Sequence, residues 1–480
     1  MTEALKFAPD MGVILVLLAG IYLFSSPVTA RFGNLLAAAA MLVGIGLTVG
    51  RNAPVYPWLL ILGTGAGAVA GWRLAMRVNM VQIPAMVAFQ HGAGGLAAAL
   101  VAYLELVTPG EALAIANQVA GAMGLLLGAA TFSGSMIASG KLSGRLRPKP
   151  QVIPHHGKLL LLGLAISALI GGWAIGVGPL LSKALLLLLA ALLAIGIGLL
   201  FSIRIGGADM PVLISFLNAS AGLASAACGI ILSDRLLITF GATVTASGWI
   251  LTHVMCRAMN RSVIKVFAGL QQPARSPAFE IFAAAPAAPA APAAPPRKPV
   301  DAMIDAIQIA REARSVVIIP GYGMALAHAQ FKVVALANHF KELGKTVRFA
   351  IHPVAGRMPG HMHVLLAEAD IDYSLLFEME EINDDLQHTD LALVIGACDV
   401  VNPAAMQIEG TPLSGMPILM AKDARHVVVC NLDRNPGYSG VENLLYDDPK
   451  TILLLGDADK TVGGLLAGLR NGGEPDQTSS

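Results

Sequence analysis

The sequence predicts a membrane domain of several α-helical spans followed by a soluble α/β domain with a doubly wound parallel sheet. Of the 480 residues, 55% are hydrophobic and only 13% are charged, and the mean hydropathy is +0.67. That composition excludes an ordinary soluble protein. Nearly all long uncharged runs lie before residue 265, whereas charged residues become frequent after residue 300. After residue 300, short β-branched runs alternate with amphipathic segments, which is typical of βαβ units.

Residues 1–265 are predicted to form a membrane domain of about nine transmembrane helices. A helix that crosses the bilayer core needs about 20 apolar residues. With that window, the candidate spans have their centres near residues 18, 41, 63, 95, 126, 167, 191, 221 and 246. The first apolar run, Met11 to Phe24, is interpreted as a retained span rather than a signal peptide, because no convincing charged segment precedes it and many similar runs follow.

The basic residues of the loops predict the orientation of the spans. Cytoplasmic loops carry an excess of Lys and Arg. If the C-terminal domain is cytoplasmic, nine spans place the N-terminus outside, and four basic residues then lie on the outer side: Lys6, Arg51, Lys183 and Arg235. Twelve lie on the inner side: Arg31, Arg73, Arg77, Lys141, Arg145, Arg147, Lys149, Lys158, Arg204, Arg257, Arg261 and Lys265. The asymmetry favours an odd number of spans and a cytoplasmic C-terminal domain.

Residues 266–300 are predicted to be an Ala/Pro-rich linker. The stretch AAAPAAPAAPAAPP at residues 283–296 favours an extended polyproline-like spacer. At about 3.1 Å per residue its fourteen residues reach roughly 43 Å. Such a segment is either a passive joint or a tether that lets the soluble domain change its pose.

Charge and cysteine content exclude several classes of partner and site. The net charge is +1, and no basic stripe with interleaved aromatic residues is present, so no nucleic-acid partner is expected. The four cysteines, Cys228, Cys256, Cys398 and Cys430, lie far apart and lack metal-ligand spacing. We therefore expect neither a disulfide scaffold nor a metal site.

Residues 301–480 are predicted to form the soluble, Rossmann-like domain. Six strands are expected: Ser315 to Ile319, Thr346 to Ile351, Tyr373 to Phe377, Leu391 to Ile395, His426 to Asn431 and Ile452 to Leu455. Helical patterns lie between most of them, which favours a parallel sheet. Ligands of such sheets bind beyond the carboxyl ends of the strands.

The first strand leads directly into GYGMALAHAQ, residues 321–330. Gly321 and Gly323 have the GxG spacing that permits a tight turn and close approach to a pyrophosphate at a helix N-terminus. The third glycine position holds Leu326, so the fingerprint is a variant, and a simple glycine turn remains the alternative. After the second strand the chain has Ile351, His352 and Pro353 where an NAD site usually has an acidic residue for the ribose.

Four further loops are rich in candidate binding residues. They are HPVAGRMPGHM (352–362), EMEEINDD (378–385), GACDVVNPAA (396–405) and NLDRNPGYSG (431–440), and each follows a predicted strand. Parallel strands would bring all four to one edge of the sheet. The alternative is that they are solvated connections.

These segments resemble, in order and spacing, the NADP(H)-binding domain of proton-translocating NAD(P) transhydrogenases. The resemblance extends to GGADMPVLISFLNASAG and CRAMNRS in the membrane half and covers nearly the whole chain apart from the linker and the termini. It implies a beta subunit in a bacterial inner membrane that works with separate NAD(H)-binding alpha subunits, the whole complex forming a dimer in membrane lipid. Hydride would pass directly between the two nicotinamides while a proton crosses the membrane, with no side-chain acid or base.

The resemblance also implies a set of cofactor-binding residues. Gly321 and Gly323 would lie at the dinucleotide, Arg357 near its phosphates, Asp399 and Asn402 near the nicotinamide half, and Tyr438 in a lid. The other residues expected at the cofactor are Tyr322, Met324, Ala325, Val354, Ala355, Gly356, Gly396, Asp433, Arg434 and Gly437.

One departure from the family pattern affects the choice between NADP(H) and NAD(H). The family usually has a Lys-Arg pair that holds the adenosine 2′-phosphate, whereas this chain has Asn431 and Leu432. Asp433 would repel that phosphate, and Arg434 could substitute from a shifted position. The sequence leaves the specificity open.

His91 is the clearest ionisable group within an apolar stretch and is the first candidate for a proton path. Ser215 and Asn218, in the eighth span, could join it through a polar chain, and the resemblance places His91 and Asn218 at matching positions. Asp209, at the inner entrance of that span, could exchange protons with the soluble domain. The alternatives are a neutral, structurally bonded His91 and an Asp209 that only caps a helix. His253 is a second ionisable candidate, but the resemblance gives it no coupling role.

A different function class also fits these features. A channel or transporter gated by a cytoplasmic dinucleotide-sensing domain would combine membrane helices with a Rossmann-like domain without hydride chemistry. It would conduct by itself, whereas the enzyme would turn over only with its NAD(H)-binding partner. The ordered family motifs favour the enzyme.

Overall fold

The computed structural model describes residues 3–25, 27–51, 56–108, 113–147, 151, 153–176, 179–206, 209–259, 262–268 and 299–470. The Ala/Pro stretch of the predicted linker lies outside the described residues. The chain divides into two compact units. One combines Met1–Gly206 with Leu213–Thr252, and the other combines Gly207–Val212 with His253–Ser480.

The N-terminal half is helical. Its helices are α1 (Glu3–Tyr22), α2 (Pro27–Arg51), α3 (Pro57–Arg77), α4 (Ile83–Val107), α5 (Ile115–Leu142), α6 (His156–Gly176), α7 (Leu180–Ile203), α8 (Met210–Ile231), α9 (Arg235–Ala258) and the short α10 (Val263–Ala268). Among the described residues, eight of these helices, α2 to α9, are long and apolar enough to cross a membrane. The apolar part of α1, Phe7–Tyr22, is shorter, so the ninth span stays a prediction.

Close helix packing in the membrane domain depends on glycine. A Cβ atom on Gly95 of α4 would lie 2.8 Å from the carbonyl oxygen of Gly128, and a Cβ on Gly128 of α5 would lie 2.5 Å from that of Gly95. Only a residue without a side chain permits this separation of two backbones. Small residues are the usual means of bringing helices together in lipid, where no hydrophobic force favours association.

The C-terminal half contains one six-stranded parallel sheet. Its strands are β1 (Ser315–Pro320), β2 (Thr346–Ile351), β3 (Leu376–Glu378), β4 (Leu391–Ile395), β5 (His426–Asn431) and β6 (Thr451–Leu455), in the order β3-β2-β1-β4-β5-β6. Every pairing is parallel. The predicted fold class, a multi-span helical domain followed by a Rossmann-like doubly wound domain, is confirmed.

The third strand corrects the prediction. The segment expected to begin the strand, Tyr373–Leu375, is a 3₁₀ turn, and the strand covers only Leu376–Glu378. The Asp372 carboxylate accepts hydrogen bonds from the backbone N–H and the hydroxyl of Ser374 and so stabilises the turn. An edge strand has one partner strand, so a local cap can displace its first residues.

Both faces of the sheet are covered, as the period-two alternation of a strand requires. Ala392 and Val394 of β4 belong to a core with Ile382, Leu386 and Leu419. On the opposite face, Leu391 and Leu393 line a small internal space with side chains of three helices, namely Ala306 and Ala310 of α11 (Pro299–Glu312), Phe340 of α13 (Gln330–Glu342) and Leu465 of α17 (Ala458–Arg470).

Four short helices lie in the loops at the strand ends: α12 (Tyr322–Leu326), α14 (His361–Glu368), α15 (Met379–Ile382) and α16 (Ala404–Gln407). The strand order reverses between β1 and β4, because the chain moves outwards in one direction from β1 to β3 and in the other from β4 to β6. In open α/β sheets, ligands bind outside the carboxyl ends of the strands at this reversal.

Candidate functional site

The glycines of the GYG motif bring two loops together at the strand-order reversal. The Gly321 N–H donates to the Ile395 carbonyl and the Gly323 N–H to the Gly396 carbonyl, both at 2.8 Å. A Cβ on Gly321 would lie 2.3 Å from the Gly396 oxygen, and a Cβ on Gly396 would lie 2.1 Å from the Met324 nitrogen. These glycines therefore have a packing reason that does not depend on a ligand. Met324 and Ala325 of α12 are both buried.

The helix expected after the glycine turn is interrupted. α12 ends at Leu326, and α13 begins only at Gln330. His328, between them, has a left-handed backbone with a φ of 52°. The long helix of this βαβ unit therefore starts at Gln330, seven residues after Gly323.

Arg357 forms an aromatic cluster with Tyr322 and Tyr438. Its guanidinium carbon lies 4.4 Å from the centre of the Tyr322 ring, and its Nε and Nη2 atoms donate to the Tyr438 hydroxyl at 3.1 and 2.8 Å. The two tyrosine rings are 6.5 Å apart. Burial raises the pKa of Tyr322 to about 12, although the nearby Arg357 charge acts in the opposite direction. A planar cation held on an aromatic face suits recognition of a phosphate.

The loop after β2 is fixed by two histidines. His352 is buried, its Nδ1 accepts from the Val354 N–H at 3.2 Å, and its Nε2 donates to the Pro417 carbonyl at 2.9 Å. Those two bonds require the neutral ring, and burial lowers the pKa of His352 to about 4. His361 accepts from the Arg357 N–H at 3.1 Å and thereby sets the backbone that carries the guanidinium.

Gly356 and Ala355 complete this loop. Gly356 has a φ of 108°, and a Cβ there would lie 2.6 Å from the His361 ring, so the loop can pass over that ring only with glycine. Ala355 is buried, and its N–H donates to the His352 carbonyl at 2.9 Å.

Asp399 fastens the predicted lid segment to the loop after β4. Its carboxylate accepts from the Ser439 N–H at 3.0 Å and from the Ser439 hydroxyl at 2.7 Å. A Cβ on Gly437 would lie 2.7 Å from the same carboxylate. Burial raises the pKa of Asp399 above its usual range, and the bonds from Ser439 oppose that rise.

Asn402, in the loop after β4, and Asn431, the last residue of β5, both form side-chain hydrogen bonds with the protein itself. Asn402 is buried, its Nδ2 donates to the Glu442 carbonyl at 3.0 Å, and its Oδ1 accepts from the Ala404 N–H at 3.0 Å. The Nδ2 of Asn431, also buried, donates to the Ala397 carbonyl and to the Tyr446 hydroxyl. Asn431 is therefore part of the framework below the loop. A contact between Asn402 and the nicotinamide stays a prediction.

The segment that departs from the family pattern is Leu432 to Arg434. The Leu432 side chain is 74% exposed. Asp433 accepts bonds from the backbone and the side chain of Asn435, at 2.9 and 2.7 Å, and Arg434 forms an ion pair with Asp447. The cation expected to substitute for the usual basic pair is thus already opposite a carboxylate.

The candidate proton-path residue His91 lies on α4 beside α5. Its Nδ1 atom is buried, and it has no hydrogen-bond partner among the described residues. The Ser135 hydroxyl of α5 is also buried, and it too has no hydrogen-bond partner among the residues that the structure describes. A Cβ on Gly92 would lie 3.0 Å from the Cβ of Ser135, so the two helices touch next to His91. Buried polar atoms are rarely left unpaired, and those that are call for water or a function.

His91, Ser135 and Asn218 lie at one depth in the bundle. Helices α4, α5 and α8 touch where a Cβ on Gly124 would lie 3.3 Å from the Cys228 sulfur and 3.5 Å from the Ala102 Cβ. From that contact, His91 is 11 residues away on α4 (102 − 91), Ser135 is 11 on α5 (135 − 124) and Asn218 is 10 on α8 (228 − 218). At about 1.5 Å per residue each is roughly 15 Å from it. Ser135 was not predicted, because a serine among small residues in a helix has the sequence pattern of a helix-packing residue.

The remaining predicted residues of the membrane half are located as follows. Ser215 is buried on α8, one turn before the half-buried Asn218. Asp209 is buried and directly precedes α8. His253 is exposed on α9.

The fold and these loops define a multi-span membrane protein that carries a Rossmann-like domain. Residues 9–468 match the family described as NAD(P) transhydrogenase beta subunit. The chain is 40% identical over 472 residues to the NAD(P) transhydrogenase subunit beta of Rhodospirillum rubrum, and equally to the subunit of that name from a designated strain of the organism; each match covers 96% of this chain and 98% of the relative. The chain belongs to the NAD(P) transhydrogenase beta subunit family, as the sequence motifs predicted.

Proposed function

We propose that this chain is the membrane subunit that couples reversible hydride transfer between NAD(H) and NADP(H) to proton translocation. The proposal depends on two features that occur together in this family member. The sheet has a strand-order reversal with the Arg357 guanidinium beside it, and the membrane helices contain the buried Nδ1 of His91, which has no hydrogen-bond partner among the described residues. The first suits a dinucleotide, and the second suits a proton.

On the nucleotide side, the proposed roles are binding and orientation. Arg357 would neutralise a phosphate, and Tyr322 and Tyr438 would hold its guanidinium plane in place. Asp399 would keep the segment that carries Tyr438 fastened through Ser439. Bound NADP(H) would supply or accept the hydride, so the chain needs no acid or base at the reacting carbon.

On the membrane side, His91, Ser135 and Asn218 would form the centre of the proton path. Their common depth supports this grouping, since a proton can pass between neighbouring polar groups directly or through water. His91 is the one among them whose ordinary pKa lies near neutrality. Ser215 and Asp209 would extend the path toward the inner side.

A membrane potential of 100 mV supplies about 2.3 kcal/mol per proton. That free energy can bias hydride exchange only if proton access and cofactor binding depend on one shared conformational equilibrium. The proposed arrangement has a cytoplasmic C-terminal domain, an NAD(H)-binding alpha subunit as partner, a dimer of the whole complex and a bacterial inner membrane as its location.

The proposal is tested by reconstituting the chain with its alpha subunit in liposomes. Hydride exchange between NADH and an NADP⁺ analogue is followed by absorbance, and proton movement is followed with an entrapped pH dye. The expected result is proton movement that depends on hydride exchange and on both subunits. Dinucleotide-dependent conductance with this chain alone, and no hydride exchange with the partner, would instead identify a gated channel.

A further inference from the structure

Lys141 is a buried cation in the last turn of α5. Its side chain is 2% exposed. The ammonium donates to the main-chain carbonyls of Ser202, Ile203 and Ile205, at distances from 2.5 to 3.3 Å. An ammonium has three protons, so three acceptors satisfy it completely, whereas a neutral amine would leave one acceptor without a donor.

The three carbonyls lie at or just beyond the C-terminal end of α7. The last four carbonyls of a helix lack partners within the helix, and this end of the helix carries partial negative charge. His156 serves the same helix end, because its Nε2 lies 2.8 Å from the Leu200 carbonyl. Lys141 is thus a cap that α5 supplies to another helix, and it adds a full positive charge at the negative end.

In the sequence, the backbone that Lys141 holds comes shortly before the candidate proton-path residues of α8. Asp209 follows Ile205 by four residues, and α8, with Ser215 and Asn218, begins at Met210. On its own helix, Lys141 lies six residues after Ser135, which faces α4 next to Gly92. One ammonium therefore ties the helix that carries Ser135 to the end of α7, and the last of its three acceptors, Ile205, is four residues before Asp209 in the sequence.

We infer that Lys141 is a positioning residue for coupling: its charge holds the start of the α7–α8 connection so that proton movement and hydride transfer stay linked. This inference rests on the proposed function. It differs from a proton relay, in which Lys141 would have to release a proton. It also differs from a role in folding alone, which would lower the amount of assembled protein and leave the proton-to-hydride ratio unchanged.

The test uses the complete complex in liposomes, with four forms of this chain: wild type, Lys141→Met, Lys141→Arg and Arg145→Met. Arg145, three residues beyond the C-terminal end of α5, is an exposed cation and is the matched control. Each form is measured for assembled protein, for hydride exchange with the pH gradient collapsed, and for protons moved per hydride.

The expected result is that Lys141→Met assembles and exchanges hydride, but moves about tenfold fewer protons per hydride, as loss of a coupling interaction predicts. Lys141→Arg, which keeps a permanent charge and five donors, should restore most of the ratio, and Arg145→Met should leave it unchanged.

Three outcomes would overturn the inference: a normal ratio in Lys141→Met, loss of assembly in both Lys141 variants, or an assembled Lys141→Arg as poor as Lys141→Met, which would indicate a relay. Failure of the proposed function is separate, because it would appear as absent hydride exchange in the wild type.

Discussion

The Arg357 guanidinium donates two hydrogen bonds to the Tyr438 hydroxyl and so joins the loop after β2 to the loop after β5. β2 and β5 are not neighbours, since β1 and β4 lie between them. The contact therefore spans the strand-order reversal, the place where open α/β sheets bind their ligands. The two hydrogen bonds from Arg357 support the proposal that Tyr438 belongs to a lid.

Tyr438→Phe should loosen this lid without removing its ring. Loss of the acceptor for a charged donor costs about 1.5–3 kcal/mol when buried and less at an exposed site, so NADPH should dissociate up to about tenfold faster. Stopped-flow release of NADPH from the purified chain measures this. Tyr373→Phe, on the edge-strand turn, is the matched control and should leave the rate unchanged. A wild-type rate in Tyr438→Phe would show that the hydroxyl does not hold the cofactor.

The strand-order reversal should tolerate no side chain at Gly396. Its φ is +66°, and a Cβ would lie 2.1 Å from the Met324 nitrogen, whereas Gly344, with a φ of +76°, has open space around it. Gly344→Ala should cost only left-handed strain of about 1 kcal/mol, or roughly 3 °C in the Tm of the soluble domain. Gly396→Ala adds a backbone clash and should lower that Tm by about 10 °C. If both variants lowered the Tm by the same amount, the loop that contains Gly396 would be able to move away from the Gly323–Met324 backbone at no cost.

His352 should make the nucleotide domain sensitive to acid. Its folded pKa of about 4 lies below the unfolded value of 6.5, so its stabilisation is fully present above pH 6.5 and is lost as the pH falls toward 4. The loss amounts to about 3 kcal/mol, because the unfolded chain takes up the proton first. The free energy of unfolding of His352→Gln should vary less between pH 6.5 and 4, while His426→Gln, at the opposite end of a strand, should behave as wild type. An undiminished pH slope in His352→Gln would assign the acid sensitivity to another group.

The sequence predicted the sheet closely because its strands are continuous β-branched runs, such as Val427 to Val429, bounded by turn residues. The sequence could not predict which groups the loop side chains would bind. An asparagine at or after the end of a strand has the same sequence pattern whether it binds a ligand or, like Asn402 and Asn431, the protein's own carbonyls. The Arg357–Tyr438 contact joins residues 81 apart, and no local pattern encodes it. Ser135 was missed because its local sequence is that of a packing residue. Only its depth in the bundle, beside His91, distinguishes it, and that depth depends on how the helices pack.

Burial of Asn431 determines how nucleotide specificity should be changed. Asn431→Lys would remove the donor to Ala397 and Tyr446 and cost about 1–3 kcal/mol, which would obscure any gain in binding. Leu432→Arg alone places a guanidinium on an exposed side chain and should strengthen NADPH binding relative to NADH by about tenfold. Titration of both nucleotides measures the ratio of the two affinities. Leu343→Arg, between α13 and the amino end of β2, is the control. An unchanged ratio would place the 2′-phosphate elsewhere.

His91 provides the most direct test of the membrane half, because its Nδ1 is buried with no partner among the described residues while it shares its depth with Ser135 and Asn218. A positioned acid or base typically contributes 10²–10⁴-fold, so His91→Ala should lower coupled proton movement by at least about a hundredfold. NADPH binding to the chain should be retained, since no residue of the candidate nucleotide site is changed. Ser135→Ala should give a smaller loss, because water can replace a hydroxyl more easily than an imidazole. His253→Ala, an exposed histidine on α9, is the matched control and should pump as wild type. All three variants are measured in liposomes that contain the complete complex and an entrapped pH dye, with NADPH as hydride donor and NAD⁺ as hydride acceptor. Undiminished proton movement in His91→Ala would show that the imidazole is not part of the proton path.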